Sequence, residues 1–118
     1  MHTDRPAPVV VVGRYLFGGL IFGLFILGSH PASANLFAPP WDKLAHVVVF
    51  ATLAIAMSAA WPKLSFPATF LIAGLIGISD EIHQSFVPDR NPGWDDALAD
   101  FAGIGLGLLL WQQRPGPR

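Results

Sequence analysis

The sequence predicts an all-α integral membrane protein built as a bundle of four transmembrane helices. The first observation is composition: 53% of the 118 residues are hydrophobic and only 13% are charged, whereas about a quarter of a typical soluble domain is charged. The second is that four apolar segments each approach the roughly 20 residues with which a helix crosses a bilayer. The length indicates one transmembrane domain over residues 1–118.

The predicted helices lie near residues 9–28, 44–61, 64–87 and 94–111. The links between them, "SHPASANLFAPPW", "WPKLSFP" and "VPDRNPGW", contain proline and other helix breakers. Tryptophans mark the segment ends, where amphipathic rings prefer the headgroup layer of a membrane. They are Trp41, Trp61, Trp94 and Trp111.

The first apolar segment has an alternative interpretation as a cleavable signal peptide. Two arginines, Arg5 and Arg14, precede the apolar run 15–28, and the small-x-small sequence "ASA" follows at 32–34. However, apolar residues already begin at Val9, which gives a full span if Arg14 extends back to the interface. We therefore expect a retained helix. Both interpretations place the chain after Ser29 on the outer side.

Basic residues predict the orientation. If the chain has four spans, five basic residues lie on the same side as the two termini, and Lys43 and Arg90 lie on the other side. The five are Arg5, Arg14, Lys63, Arg114 and Arg118. Basic residues are enriched on the cytoplasmic side, so we expect a multi-pass protein of the bacterial inner membrane with both termini in the cytoplasm.

Acidic residues are concentrated at the opposite, outer end. All acids but Asp4 lie there: Asp42, Asp80, Glu81, Asp89, Asp95, Asp96 and Asp100. His30, His46 and His83 belong to the same end. The formal net charge of −1 selects no nucleic-acid partner, and the lack of cysteines excludes disulfides and thiolate metal sites.

Helical spacing brings these polar residues together. Asp42 and His46 are four residues apart beside Lys43, and Asp96 and Asp100 have the same spacing. Near the end of the third helix, Asp80, His83 and Gln84 share one face. Glu81 lies next to that face, one residue after Asp80. Ala99, Gly103 and Gly107 are small residues at four-residue spacing, which permits close helix packing. Because a charge in hydrocarbon is costly, the Asp96/Asp100 stripe should face the bundle interior.

Three segments together resemble the VanZ-like membrane proteins, named for a teicoplanin-resistance accessory protein. They are "WDKLAHVVVFATLA", "GISDEIHQSFVPDR" and "DALADFAGIGLG". The similarity rests on an Asp-Lys-x-x-His helix start, an Asp-Glu-x-x-Gln helix end, a Pro-x-Arg turn that includes Arg90, and an Asp-x-x-x-Asp helix start with a downstream glycine. It covers roughly residues 27–110. Asp89, where a small residue is commoner, and the "NPGW" turn depart from the pattern.

The resemblance implies a bacterial multi-pass protein, linked in some members to glycopeptide tolerance, with no established biochemical activity. We expect a cell-envelope protein whose outward-facing polar cluster binds an envelope lipid or lipid-linked precursor within the bilayer and affects susceptibility to glycopeptides such as teicoplanin. Two other classes stay open. One is a structural or accessory subunit with an ion-pair lock. The other is a lipid phosphate hydrolase, although the sequence lacks the upstream motif and basic phosphate cradle of lipid phosphatases. The sequence favours a non-enzymatic role and gives no oligomeric state.

Each polar residue also has a simpler explanation. Asp42 and Asp96 could complement helix dipoles, and His83 could be an interfacial histidine with a water partner. No cofactor or metal is predicted, because Lys43 and Arg90 offer ion pairing. A divalent cation, either a hard ion or zinc, is the alternative, and its candidate ligands are His46, Asp80, Glu81 and Asp100.

Overall fold

A computed structural model of the chain describes residues 4–30, 38–89 and 93–115. These residues contain four α-helices and no strand, which confirms the predicted all-α class. The helices are α1 (Pro8–Phe25), α2 (Trp41–Ala60), α3 (Phe66–Gln84) and α4 (Trp94–Gln112), and a single 3-10 turn, Leu27–Ser29, follows α1.

The helix ends differ from the sequence prediction by up to three residues: α1 ends at Phe25 and not near residue 28, and α3 begins at Phe66 and not near residue 64. Two further differences concern helix ends that carry charged residues. Helix α2 begins at Trp41, directly after Pro40, so Asp42 lies in its first turn, where a carboxylate complements the helix dipole. Helix α3 stops at Gln84, three residues before the predicted end. Pro88 disfavours helical backbone at the residue before it, and Asp89 adopts a left-handed φ of 65°. A proline in the adjoining link therefore limits the helix at the start of α2 and at the end of α3.

The four helices run alternately up and down, so that α2 and α4 are parallel to each other. Their contact is a close one. A Cβ atom at Gly103 would collide with the backbone of Val47, and a Cβ at Gly107 would collide with the backbone of Ala51. The absence of these side chains lets the two helix backbones approach, as small residues commonly allow in membrane bundles.

The core lies between α2, α3 and α4. Its buried members are Phe50, Leu53, Ala54, Met57, Ala73, Ile104 and Leu108. Helix α3 approaches α4 where Gly74 leaves room for the ring of Phe101, since a Cβ at Gly74 would lie 2.5 Å from that ring. Helix α2 is thus central, with α4 along one side and α1 along another.

Helix α1 packs on the C-terminal half of α2. Gly13 is its one buried residue, and a Cβ there would lie 2.7 Å from the backbone nitrogen of Ala60. Beside it, Arg14 Nε donates a hydrogen bond of 3.3 Å to the carbonyl of Ala60, one of the last-turn carbonyls that have no partner within a helix. Phe17 meets Trp61 edge-on at 4.9 Å. These contacts fix where α1 lies.

Two of the described helical segments are long and apolar enough to cross a membrane. Pro8–Ser29 has a mean hydropathy of 2.1 and Trp41–Ala60 of 1.8. Large apolar side chains are exposed on all four helices, and they include Val12, Tyr15, Leu44, Val48, Leu71, Leu75, Leu98 and Leu109. The start of α1, the link after α2 and the end of α4 lie at one end of the bundle, and the acidic helix ends lie at the other.

Candidate functional site

The acidic end of the bundle brings three helices together. Helices α2 and α4 begin there and α3 ends there, so charged residues that are far apart in the sequence lie close together in the fold. We call the side chains that meet there the polar cluster: Asp42, Lys43, His46, Glu81, Asp96 and Asp100.

Lys43 lies at the outer edge of the polar cluster and forms ion pairs with residues of α2 and α4. Its Nζ lies 2.8 Å from Asp42 Oδ2 and 2.5 Å from Asp96 Oδ1, and it also lies 3.2 Å from Asp95 Oδ2. The side chain of Asp95 is 70% exposed, whereas that of Asp96 is 10% exposed. Exposed ion pairs contribute little, so the contact with Asp96 is the one that joins α2 to α4 energetically.

His46 lies one turn deeper on α2 and faces carboxylates from two other helices. Its Nδ1 is 2.6 Å from Asp100 Oδ1 on α4 and 3.9 Å from Glu81 Oε1 on α3. Its Nε2 is 3.8 Å from Asp96 Oδ1. The first contact is a short hydrogen bond and the other two are longer than one. His46 is therefore the residue at which the three helices meet.

Several carboxylate oxygens in the cluster are buried with no matching donor. Asp100 has a side chain only 1% exposed, and its Oδ2 accepts no hydrogen bond from the residues that the structure describes. Within the same described ranges, neither oxygen of Glu81 accepts one, nor does Asp42 Oδ1. Buried acceptors without donors cost free energy. The site can therefore take a bound cation, a proton or a ligand that donates hydrogen bonds.

A glycine on α3 makes room for Asp100. A Cβ at Gly77 would lie 3.4 Å from both Cβ and Oδ2 of Asp100, and 3.3 Å from the ring of Phe50. Such a methyl group would crowd the ring of Phe50 by a few tenths of an ångström and would lie at van der Waals distance from the buried carboxylate. Gly77 thus lies directly against the acid that α4 supplies.

The other predicted site residues on α3 have separate partners. Gln84 Nε2 donates a hydrogen bond of 2.8 Å to Asp80 Oδ2, one helical turn away, and both side chains are buried. His83 instead faces the 3-10 turn that follows α1, where its Nε2 lies 2.9 Å from Ser29 Oγ. Ser29 Oγ donates to the carbonyl of Phe25 at 2.6 Å, so the imidazole N–H is the donor to Ser29. The structure does not join His83 to His46.

Two residues outside the predicted site contact its members, and two of the sequence predictions concern residues outside the described ranges. Asp95 contacts Lys43, and its position beside Asp96 in the first turn of α4 could have indicated this. Ser29 contacts His83 from 54 positions away in the chain, and no sequence pattern indicates this contact. Arg90 and the possible processing site at 32–34 lie outside the residues described.

Comparison with known proteins finds one family. A family model described as VanZ/LLP1 matches residues 9–113. This match runs through all four helices and every member of the polar cluster. No curated protein and no solved structure matches the chain.

Proposed function

Because the chain belongs to the VanZ/LLP1 family, we propose that it is a four-span protein of the bacterial inner membrane that acts in the cell envelope. Its polar cluster opens to the outer side and binds the headgroup of an envelope lipid or of a lipid-linked cell-wall precursor. Through that ligand it affects susceptibility to glycopeptides such as teicoplanin.

Four spans are supported by the surface of the bundle. Apolar side chains exposed on α3 and α4, among them Leu71 and Leu98, would contact lipid if these helices crossed the membrane beside α1 and α2. A helix the length of α2 is about 30 Å long, which equals the hydrocarbon thickness of a bilayer. Trp41 and Trp94 lie at the acidic end, and Trp61 and Trp111 at the other, as expected for two headgroup layers.

The outward orientation is supported by charge. Arg14, Lys63 and Arg114 lie at the end opposite to Lys43. Basic residues favour the cytoplasmic side of a membrane. The polar cluster would then lie close to the outer headgroup layer, within reach of a lipid that diffuses along the bundle.

The unpaired acceptors of the polar cluster carry the binding proposal. Glu81 and Asp100 supply carboxylate oxygens that receive no hydrogen bond from the described residues, and Lys43, with a side chain 35% exposed, lies at the outer rim. Headgroup hydroxyls or amines would supply the missing donors, and Lys43 could contact an anionic oxygen. Acyl chains would lie along the exposed apolar surface.

Growth of a deletion strain against teicoplanin and other envelope-targeting agents tests this function. Wild-type protein should restore the parental susceptibility, and Glu81→Gln or Asp100→Asn should fail to restore it at equal abundance. Asp4→Asn makes the same chemical change at the far end of the chain and should restore it fully. If deletion leaves every susceptibility unchanged, the proposed envelope role is wrong.

A structural role is the second candidate, and the contact between Lys43 and Asp96 favours it. This ion pair joins α2 to α4 and could serve only to fix helix register. Folded protein should therefore be quantified for each variant by size-exclusion chromatography in detergent. If loss of the phenotype always follows loss of folded protein, the cluster is a lock and binds no ligand.

A further inference from the structure

We propose that His46, Glu81 and Asp100 form a binding site for one divalent metal ion of the zinc type. The three side chains come from α2, α3 and α4, and each offers one ligand atom such that all three atoms lie within 4.8 Å of one another. This site shares Glu81 and Asp100 with the proposed lipid site, but metal binding does not require a lipid.

Burial distinguishes this trio from an ordinary surface group of acids. The side chains of His46 and Glu81 are 16% and 12% exposed, and that of Asp100 is almost entirely buried. Asp100 Oδ2 and both oxygens of Glu81 are shielded from solvent and have no hydrogen-bond donor among the described residues. Lone pairs that are directed into a protein interior without a donor are the acceptors that a cation would satisfy.

Charge balance also favours a dication. Lys43 is engaged with Asp42, Asp95 and Asp96. Within the described ranges, the only ion pairs of Glu81 and Asp100 are with His46. A divalent ion bound by a neutral imidazole and two carboxylates gives a site with no net charge, which offsets the cost of placing two carboxylates beside a single imidazole at low dielectric.

The distances fit a zinc-type ion after small movements. Two ligand atoms that are each about 2.0–2.1 Å from a tetrahedral zinc lie roughly 3.4 Å apart. The present distances from His46 Nδ1 are 2.6 Å to Asp100 Oδ1 and 3.9 Å to Glu81 Oε1. The distance to Asp100 must lengthen and the distance to Glu81 must shorten, each by less than about 1 Å, and side-chain rotation can supply these movements. An imidazole ligand favours zinc over magnesium, which prefers oxygen ligands and retains water.

Asp96 lies near the other ring nitrogen of His46. When Nδ1 of His46 binds a metal, its Nε2 carries the proton and needs an acceptor. Asp96 Oδ1, which also contacts Lys43, lies 3.8 Å from Nε2, beyond hydrogen-bond distance, so the imidazole ring must move toward Asp96 for that hydrogen bond to form. Three protein ligands leave the fourth tetrahedral position for a water molecule or for an oxygen of a bound headgroup.

Metal analysis of the purified protein tests the site. The chain should be produced with a histidine-free tag, stripped with EDTA in detergent, dialysed against zinc chloride and measured by inductively coupled plasma mass spectrometry. Wild type should retain one zinc per chain. Asp100→Asn and Glu81→Gln should bind at least about tenfold more weakly. Asp95→Asn, the same change at an exposed acid outside the trio, should retain the metal.

The wild-type chain alone provides a second measurement, in case the variants do not fold. A ligand that binds only the native state raises the unfolding temperature, so zinc should raise it and an equal concentration of magnesium should not. The site is wrong if wild type retains no stoichiometric zinc, if zinc leaves the unfolding temperature unchanged, or if Asp95→Asn loses zinc as fully as Asp100→Asn. Because no lipid is added, these outcomes are independent of the growth assay.

Discussion

Nδ1 of His46 and Oδ1 of Asp100 lie 2.6 Å apart, and this hydrogen bond joins α2 to α4 at a depth where Asp100 is buried. One turn further out, the ion pair between Lys43 and Asp96 joins the same helices. One turn further in, the contact changes to glycine against backbone, at Gly103. The α2–α4 interface is thus polar at its outer end and closely packed further in. Each of these two parts leads to a separate prediction.

Lys43→Ala should destabilise the protein by leaving the shielded carboxylate of Asp96 without its cation. Removing one partner of a fully buried ion pair costs about 3–5 kcal/mol. Lys43 is partly exposed, so we expect a smaller loss of about 1–3 kcal/mol. Thermal unfolding in detergent measures the change. Lys63→Ala, which removes a lysine from the link at the opposite end, should leave the unfolding temperature within about 1–2 °C of wild type.

Gly103→Ala should weaken the packing of α4 on α2. The added Cβ would collide with the carbonyl of Val47, so the helices must separate, at a cost of about 1–3 kcal/mol. Gly105→Ala provides the matched control, because a Cβ at Gly105 meets nothing within 4 Å. Since alanine is the better helix former, Gly105→Ala should be neutral or slightly stabilising. Equal unfolding temperatures for the two variants would contradict the close α2–α4 contact.

The helices themselves could be predicted from the sequence because hydropathy and helix breakers act locally. Even so, Trp41 rather than Leu44 begins α2, since the helix continues back to the proline that precedes it. The parallel pairing of α2 with α4 was less visible. Its sequence signal was the stripe of small residues at Ala99, Gly103 and Gly107, which indicates a close contact but does not identify the partner helix.

The site could be predicted in part for the same reason. Spacing placed Asp42, Lys43 and His46 on one helix start, and their side-chain types indicated mutual pairing. It could not show that His83 turns toward Ser29, in the 3-10 turn after α1, while His46 meets Glu81 and Asp100. Those choices depend on the rotation of each helix about its axis, which packing against its neighbours determines and no local pattern encodes.

Topology can be measured with reporter fusions. We predict that both termini lie in the cytoplasm, because Arg14, Lys63 and Arg114 share one end of the bundle and basic residues favour that side. A green fluorescent protein fused after the last residue should fluoresce, and an alkaline phosphatase fused there should be inactive. The reverse pattern would place the polar cluster on the cytoplasmic side.

Helix α1 should be retained in the mature protein. Its contact with α2 is specific: Gly13 lies against the backbone of Ala60, and Arg14 donates to the carbonyl of the same residue. A signal peptide that is removed needs no such fit to the domain that remains. Intact mass spectrometry of the purified protein should show a species that includes α1, whereas a species that begins at Asn35 would show processing after Ala34.

The same contact predicts that α1 contributes to stability. Gly13→Val should lower the unfolding temperature, because the new side chain cannot fit against Ala56 and Ala60 without displacing α1. Gly18→Val is the matched control, because a Cβ at Gly18 meets nothing within 4 Å. The difference between the two variants should be about 1–3 kcal/mol. If both unfold at the wild-type temperature, α1 is not packed on α2, and the argument for its retention fails with it.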